Sequence, residues 1–179
     1  MTYIVVALKS EAQAFVDKYK LQKSKLGLYT YFFNDTIKLI VSNIGVENAR
    51  NATQALINQY DITDEDIYFN IGICGASTQF DIGSLIEIGM LSYKDITYKL
   101  SDRKNTLTCV DEEMSEDTHN IVDMESFGFY DAVIHNPAIK QFHILKVVSD
   151  HFEPQTVTKD ATKKLIFNKI DAINKIINP

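Results

Sequence analysis

The chain has 179 residues, 45% of them hydrophobic, and a formal net charge of −6. This length and composition support one sizeable hydrophobic core, so we predict a single domain over residues 1–179. Because the charge is acidic and no basic run is present, we expect no nucleic-acid partner.

Cysteine usage and the N-terminal residues favour a reducing compartment. Cys74 and Cys109 are too few for a disulfide framework, and they lack the paired spacing of a metal site. The first residues reach Lys9 and Glu11 too soon for a signal peptide, and no apolar run approaches the length of a membrane span. We therefore expect a cytoplasmic protein without membrane association, metal or cofactor.

The first apolar segment predicts a buried strand that ends near an acidic residue. Tyr3 to Leu8 is a continuous apolar run rich in β-branched residues, which is typical of a strand buried on both faces. Ser10 then predicts a helix N-cap, with Glu11 in the first turn. Glu11 therefore lies at a strand's carboxyl end, where its simplest role is to complement the helix dipole.

The next segments predict a hairpin and an amphipathic helix. Leu28 to Phe33 and Thr36 to Ser42 are strand-like, and the dipeptide Asn34-Asp35 between them favours a tight turn. Apolar or small residues at helical spacing predict a helix from Val46 to about Tyr60.

Glycines and acids mark the middle of the chain. Ile67 to Ile71 predicts a buried strand, and the glycine-containing segment Gly72 to Ala76 follows it. Phe80 to Gly89 and Leu107 to Val110 are further strand-like segments. The acidic run at residues 111–117 predicts a solvated loop in preference to a metal site, because it lacks the ligand order of a calcium loop. The same loop could cover a pocket.

Two carboxylates stand where a strand meets the central helix. In Ile121 to Ser126, a short apolar segment runs directly into Asp123 and Glu125. The apolar residues that recur at helical spacing are Met124, Phe127, Tyr130 and Val133. This pattern places both acids in the first turn of a helix, where they could simply complement its dipole.

The C-terminal part predicts one more strand and a long helix. Phe142 to Val148 is a buried strand that ends at Ser149 and Asp150. A threonine, Thr156 or Thr158, caps a final amphipathic helix. Ligands of open α/β sheets bind where strand ends meet loops, so these strand ends and Glu11 predict one site.

Taken in order, these motifs resemble the nucleoside phosphorylase and nucleosidase superfamily, and most of all its methylthioadenosine/S-adenosylhomocysteine nucleosidase branch. Ala7-Leu8-Lys9-Ser10-Glu11 matches the family's acidic turn with the final acid kept. Gly72-Ile73-Cys74-Gly75 stands where the family carries Gly-Ser-Ala-Gly or Gly-Ser-Cys-Gly, and Val147-Val148-Ser149-Asp150 matches its Ser-Asp motif. The match covers nearly the whole chain except about residues 96–120, where the family's purine-stacking segment is shortened.

The resemblance implies a fold and a reaction. The fold is α/β, a single-domain phosphorylase/hydrolase-like fold with a central mixed β-sheet flanked by helices. The reaction is hydrolysis of the N-glycosidic bond of a purine nucleoside, with Glu11 activating water and Asp150 acting as acid toward the base. Glu125 would hold the ribose hydroxyls, and Met124 would pack beneath the sugar. The other substrate-binding residues that it implies are Ser149, Gly75, Cys74 and Ile73.

Departures from the family pattern leave two alternatives. Ile73 replaces a usual serine and Asn70 stands where phosphorylases place an arginine, which favours water over phosphate as nucleophile. Lys163 lies near the position of a phosphorylase arginine, so phosphate-dependent cleavage stays an alternative. The shortened segment together with Ile73 allows a non-catalytic nucleoside-binding protein. By analogy, the resemblance also implies a homo-oligomer, namely a dimer.

Overall fold

A computed structural model describes residues 1–116 and 118–177. In this part of the chain, eleven strands form one sheet that four helices flank. The strands are β1 (Thr2–Val6), β2 (Gln22–Leu26), β3 (Tyr29–Phe33), β4 (Ile37–Val41), β5 (Ile67–Ala76), β6 (Leu85–Glu87), β7 (Met90–Tyr93), β8 (Ile96–Lys99), β9 (Thr106–Cys109), β10 (Ile121–Asp123) and β11 (Gln141–Asp150). The helices are α1 (Lys9–Tyr19), α2 (Val46–Gln59), α3 (Ser126–Ile134) and α4 (Lys159–Ile177).

The sheet is mixed and branches at β5. The main strand order is β2-β3-β4-β1-β5-β10-β9-β7-β8, and β11 pairs with both β5 and β6. Strands β1, β5 and β11 are parallel, so their carboxyl ends meet at one edge of the sheet. β10 runs antiparallel to the last residues of β5, which brings its own end back to the same region.

Two hydrophobic layers cover the two faces of the sheet. Tyr3 and Val5 of β1 pack in the layer that contains α2 and α3, whereas Ile4 and Val6 pack in the layer that contains α1 and α4. This alternation follows from the two-residue period of a strand. The prediction that the first apolar run is a central strand buried on both faces is confirmed.

The predicted fold class, α/β with a central mixed sheet flanked by helices, is confirmed, and several element boundaries are corrected. β5 does not end before Gly72, because the segment to Ala76 continues its ladder with β11. α1 begins at Lys9, so Ser10 lies inside the helix and is not its cap. β6 occupies only Leu85–Glu87 of the longer predicted strand. β2 was not predicted, because its exposed polar residues show no alternation.

Within residues 1–116 and 118–177, no helix is both long and apolar enough to cross a lipid bilayer.

The close approach of α2 and α3 can be tested by a substitution at Gly128. A Cβ atom at this position would lie 1.9 Å from the backbone oxygen of Val46. Since the obstructing atom is backbone, we expect Gly128→Ala to lower the free energy of unfolding by about 3 kcal/mol or more. Urea denaturation measures this loss.

Gly27→Ala is the matched control for this change. Its Cβ would meet nothing within 4 Å, and only the left-handed backbone at φ 58° opposes it. We expect a loss of about 1 kcal/mol. Equal losses in the two variants would contradict the close helix contact.

Candidate active site

A cavity of about 260 Å³ opens at the edge where β1, β5 and β11 end. The structure brings all eight predicted site residues to its walls: Glu11, Ile73, Cys74, Gly75, Met124, Glu125, Ser149 and Asp150. Glu113 and Met114 of the acidic run also line the cavity, so the described part of this predicted solvated loop lies at the cavity, and Asp117 lies outside the described residues. The predicted convergence of the strand ends on one site therefore agrees with the geometry.

Glu11 is buried and held by backbone groups of two strand ends. Its Oε2 accepts hydrogen bonds from the N–H groups of Ala7 at 2.9 Å and Leu8 at 2.8 Å, and its Oε1 accepts one from Ile73 at 2.9 Å. Burial raises the pKa of Glu11, and the three N–H donors and nearby Lys146 only partly oppose this effect. The carboxylate is thus both fixed in direction and a stronger proton acceptor than an exposed glutamate.

The two acids near the central helix occupy different positions from those predicted. α3 begins at Ser126, so Asp123 closes β10 and Glu125 is the residue that precedes the helix. Asp123 caps the helix, since its Oδ2 accepts hydrogen bonds from the N–H of Ser126 at 3.0 Å and from its hydroxyl at 2.6 Å. Glu125 Oε1 accepts one hydrogen bond, from Gly45 N–H at 3.1 Å.

Asp150 is fixed by the turn that follows β11. Its Oδ1 accepts a hydrogen bond from the N–H of Glu153 at 2.9 Å, and its Oδ2 lies 2.6 Å from the Ser149 hydroxyl. The neighbouring His151 places its Nδ1 2.9 Å from the carbonyl oxygen of Ala76, outside the cavity lining. This hydrogen bond gives His151 a structural role.

Two glycines of β5 lie beside the carboxyl groups, and one of them makes room for a carboxylate. A Cβ at Gly72 would lie 2.8 Å from Glu11 Oε1, closer than real Cβ contacts allow, whereas a Cβ at Gly75 would lie at an ordinary 3.5 Å from Asp150 Oδ1. A strand rises about 3.3 Å per residue, so the two acids contact β5 at points roughly 10 Å apart. Gly72 is therefore explained by the close approach of Glu11 and not by a turn.

Sequence reasoning missed a buried polar cluster beneath the cavity. The side chain of Lys146, only 1% exposed, lies 2.7 Å from Asp123 Oδ2 and donates a 2.7 Å hydrogen bond to Asn70 Oδ1. The Ser126 hydroxyl lies 3.2 Å from the same Asn70 oxygen. A lysine inside an otherwise apolar strand is the signal that could have predicted a buried ion pair.

The charged groups leave little positive charge in the cavity. Arg50 is paired with Asp131 and Arg103 with Glu87, and neither lines the cavity. Lys163 is half-exposed and paired with Asp17 on α1, which gives no support to the predicted similarity to the phosphorylase arginine. The geometry therefore provides no clamp for a phosphate.

The described part of the chain contains no reactive thiolate and no cluster of metal-ligating side chains. Cys74 and Cys109 are free and buried, and burial raises the pKa of both thiols, so they stay protonated near neutral pH. Across residues 1–116 and 118–177, no group of three or more histidine, cysteine, aspartate or glutamate side chains is arranged to hold a metal ion.

The surroundings of Glu125 raise the pKa of its carboxyl group. Burial raises its pKa to about 7, the charges of Asp123 and Glu11 raise it too, and Lys146 and the Gly45 N–H oppose this. A carboxyl group whose pKa is raised in the folded state binds its proton more tightly there than in the unfolded chain. Its contribution to stability is therefore present at low pH and is lost as the pH rises from about 4.5 to about 7.

Glu125→Gln should remove this loss. We expect the variant to show a shallower fall of the unfolding free energy between pH 5 and 8, with a gain at pH 8 of at most about 3 kcal/mol. Urea denaturation at several pH values measures it. Glu47→Gln, at an exposed site on α2, is the control and should keep the wild-type slope. A wild-type slope in Glu125→Gln would contradict the raised pKa.

Comparisons with known proteins agree on the fold. No protein-family model and no curated protein matches the chain. Among solved structures, a Helicobacter pylori 5′-methylthioadenosine/S-adenosylhomocysteine nucleosidase with butyl-thio-DADMe-Immucillin-A matches with a TM-score of 0.81 and 13% identity, covering 99% of this chain and 97% of that one. The Colwellia psychrerythraea 34H enzyme in complex with adenine has a TM-score of 0.74 and 16% identity, with 95% and 94% covered.

A third structure adds a related activity. The futalosine hydrolase of Helicobacter pylori matches with a TM-score of 0.81 and 13% identity, covering 99% of this chain and 97% of that one. Identities this low show a common fold. They confirm the resemblance predicted from the motifs at that level: the chain has the nucleoside phosphorylase and nucleosidase fold, in the form found in the methylthioadenosine/S-adenosylhomocysteine nucleosidases.

Proposed function

We propose that this protein is a nucleosidase that hydrolyses the N-glycosidic bond of a purine nucleoside related to methylthioadenosine or S-adenosylhomocysteine. One observation carries the proposal. Glu11, Glu125 and Asp150 come from three separate elements and face a single cavity. The solved structures with this fold include nucleosidases bound to a nucleoside analogue or to adenine, which supports the same class of ligand.

The chemistry needs groups with different roles around the sugar. Cleavage of the bond develops positive charge on the ribose, protonates the departing base and delivers a nucleophile from the opposite face. Glu11 suits the role of base, because three backbone donors fix it and its raised pKa strengthens it as a proton acceptor. In this proposal, Glu11 orients and deprotonates the attacking water.

Glu125 and Met124 suit the sugar. The Glu125 carboxyl group accepts one hydrogen bond from Gly45, through Oε1, which leaves Oε2 for the ribose hydroxyls. Met124 lines the same wall and offers an apolar contact beneath the ring.

Asp150 suits the base. Its position beside Gly75 and Ser149 supports a hydrogen bond or a proton transfer to the purine N7. Cys74, Gly75 and Ile73 form the strand wall against which the base and sugar would lie. The Ile73 side chain replaces a polar group there, but its backbone N–H serves Glu11.

Water is the proposed nucleophile in place of phosphate. The cavity lining carries several carboxyl groups, and neither arginine of the chain lies there. Lys146 lies close to Glu11, and its ammonium group is bound to Asp123 and Asn70. A phosphate dianion would therefore meet mainly negative charge. The proposal includes a homodimer, as the resemblance implies, and a cytoplasmic location, as the cysteine usage indicates.

One observation favours a second candidate, a nucleoside-binding protein without turnover. The cavity walls that the structure describes include no aromatic side chain on which a purine could stack. The base would instead contact aliphatic groups and the thioether of Met114. Under this alternative, the protein binds nucleosides and releases no base.

Base release tests the proposal directly. We expect free base from at least one of methylthioadenosine, S-adenosylhomocysteine, adenosine, inosine and futalosine, measured by chromatography. Glu11→Gln and Asp150→Asn should each lower kcat/KM by about 10²- to 10⁴-fold, because each removes a proton-transfer group. Glu47→Gln on the exposed start of α2 is the matched control and should keep wild-type activity. Binding without release, seen by calorimetry, would favour the second candidate.

Phosphate separates the two possible reactions. We expect the same rate of base release with and without phosphate, and free ribose derivative as the product, because the cavity offers no phosphate clamp. Mass spectrometry of the sugar product measures this. A ribose 1-phosphate product that needs added phosphate would show that the enzyme is a phosphorylase.

A further inference from the structure

The buried ion pair beneath the cavity is not accounted for by the roles assigned above. Lys146 lies inside β11, among apolar residues, and its side chain is 1% exposed. A buried ammonium group is costly to desolvate, and its partner Asp123 is equally buried. Neither group has been given a task in the proposed reaction, so the cluster calls for a separate explanation.

The ammonium group of Lys146 is bound by groups other than Glu11, Glu125 and Asp150. Its ammonium group donates a hydrogen bond to Asn70 and forms an ion pair with Asp123. Among the described residues, it forms no ion pair with Glu11 or Glu125, the carboxyl groups assigned to the reaction. It nevertheless lies close to Glu11: a Cβ at Gly72 would be 2.8 Å from Glu11 Oε1 and 3.6 Å from Lys146 Nζ. Lys146 can therefore act on Glu11 and Glu125 through its charge.

The charges around Lys146 are unbalanced. Asp123 on β10, Glu125 before α3 and Glu11 on α1 are the carboxyl groups that act on it, while the protonated thiols of Cys74 on β5 and Cys109 on β9 lie nearby. Asp150 on β11 adds another buried carboxyl group to the same region. One cation cannot neutralise all of these acids, and the pKa values of Glu11 and Glu125 are both raised, so these two glutamates compete for protons.

The backbone donors decide which acid takes a proton first. Glu11 accepts three N–H groups, which favour its ionised form, and Glu125 accepts one. When the two glutamates share one proton, it therefore belongs mainly on Glu125. This division suits the proposed reaction, because the base must be ionised.

We propose that Lys146 and Asp123 are positioning residues that act together on the two glutamates: the balance of charge within this pair sets how Glu11 and Glu125 share a proton. The inference rests on the proposed function for its catalytic meaning. The proton sharing itself is a property of the free protein and can be measured without any substrate.

Charge-changing variants give a signature that a purely structural role would not. Lys146→Met removes the positive charge and should raise the titration midpoint of Glu125 by about one pH unit or more. Asp123→Asn removes the negative charge and should lower the midpoint. The double variant Lys146→Met/Asp123→Asn removes both charges and should return the midpoint close to the wild-type value, as should Lys146→Arg.

The measurement is an NMR titration of the unliganded protein with ¹³C-labelled glutamate carboxyl groups. Glu11→Gln and Glu125→Gln identify the two signals, and circular dichroism shows that each variant is folded. Lys146→Met leaves Asp123 buried without its partner, so Asp123→Asn and the double variant keep the test decisive if that variant does not fold. The inference would be overturned if Asp123→Asn kept the wild-type titration midpoint of Glu125. It would also be overturned if the midpoint in the double variant were shifted away from the wild-type value.

The pH dependence of base release gives a second test of the inference about Lys146. The acidic limb of the kcat/KM profile should follow the same order of shifts as the NMR midpoints. If the wild-type protein releases no base from any nucleoside, the proposed function fails while the NMR titration still decides the role of Lys146. If base is released but the variants share one pH profile, the inference about Lys146 fails alone.

Discussion

The ion pair between Lys146 and Asp123 is the interaction on which the geometry of the site depends. Both side chains are 1% exposed, so their attraction acts in a medium of low polarity. Asn70 on β5 and Ser126 at the start of α3 complete the hydrogen bonds of the pair. The pair thereby joins β11, β10, β5 and α3 at the edge where the candidate site lies. Removing one partner would leave a buried charge, which costs more than the intact pair contributes.

Close approach of backbone and side chains is the second constraint. Glu11 can lie against β5 because Gly72 leaves space for its carboxyl group. On the other side, the contact between Gly128 and the first residue of α2 brings α2 and α3 together. Glu125 stands just before α3 and is held by Gly45, which stands just before α2. The helix packing therefore fixes the direction of the carboxylate assigned to the sugar.

The sequence predicted well what local patterns can encode. The apolar runs of β1 and β11 and the periodicity of α2 predicted these elements, and the resemblance carried by the ordered motifs implied the fold and eight residues that line one cavity. The prediction from sequence failed where a feature depends on contacts between strands that are distant in the chain. Lys146 is one polar residue in an apolar strand, and its partner Asp123 is distant in sequence, so no local spacing shows the pair. The edge strand β2 was missed because its polar residues face solvent and carry no hydrophobic pattern.

A site with several buried acids needs a physical means to give them different protonation states. Burial acts on all of them in the same direction, since it penalises every carboxylate. Hydrogen bonds from the backbone differ: Glu11 accepts three N–H groups, whereas Glu125 accepts one. These donors are fixed by the strand ends and loops and do not depend on a bound ligand. The fold can therefore give Glu11 and Glu125 different protonation states before any ligand enters, and general acid and base catalysis by similar side chains requires such a difference.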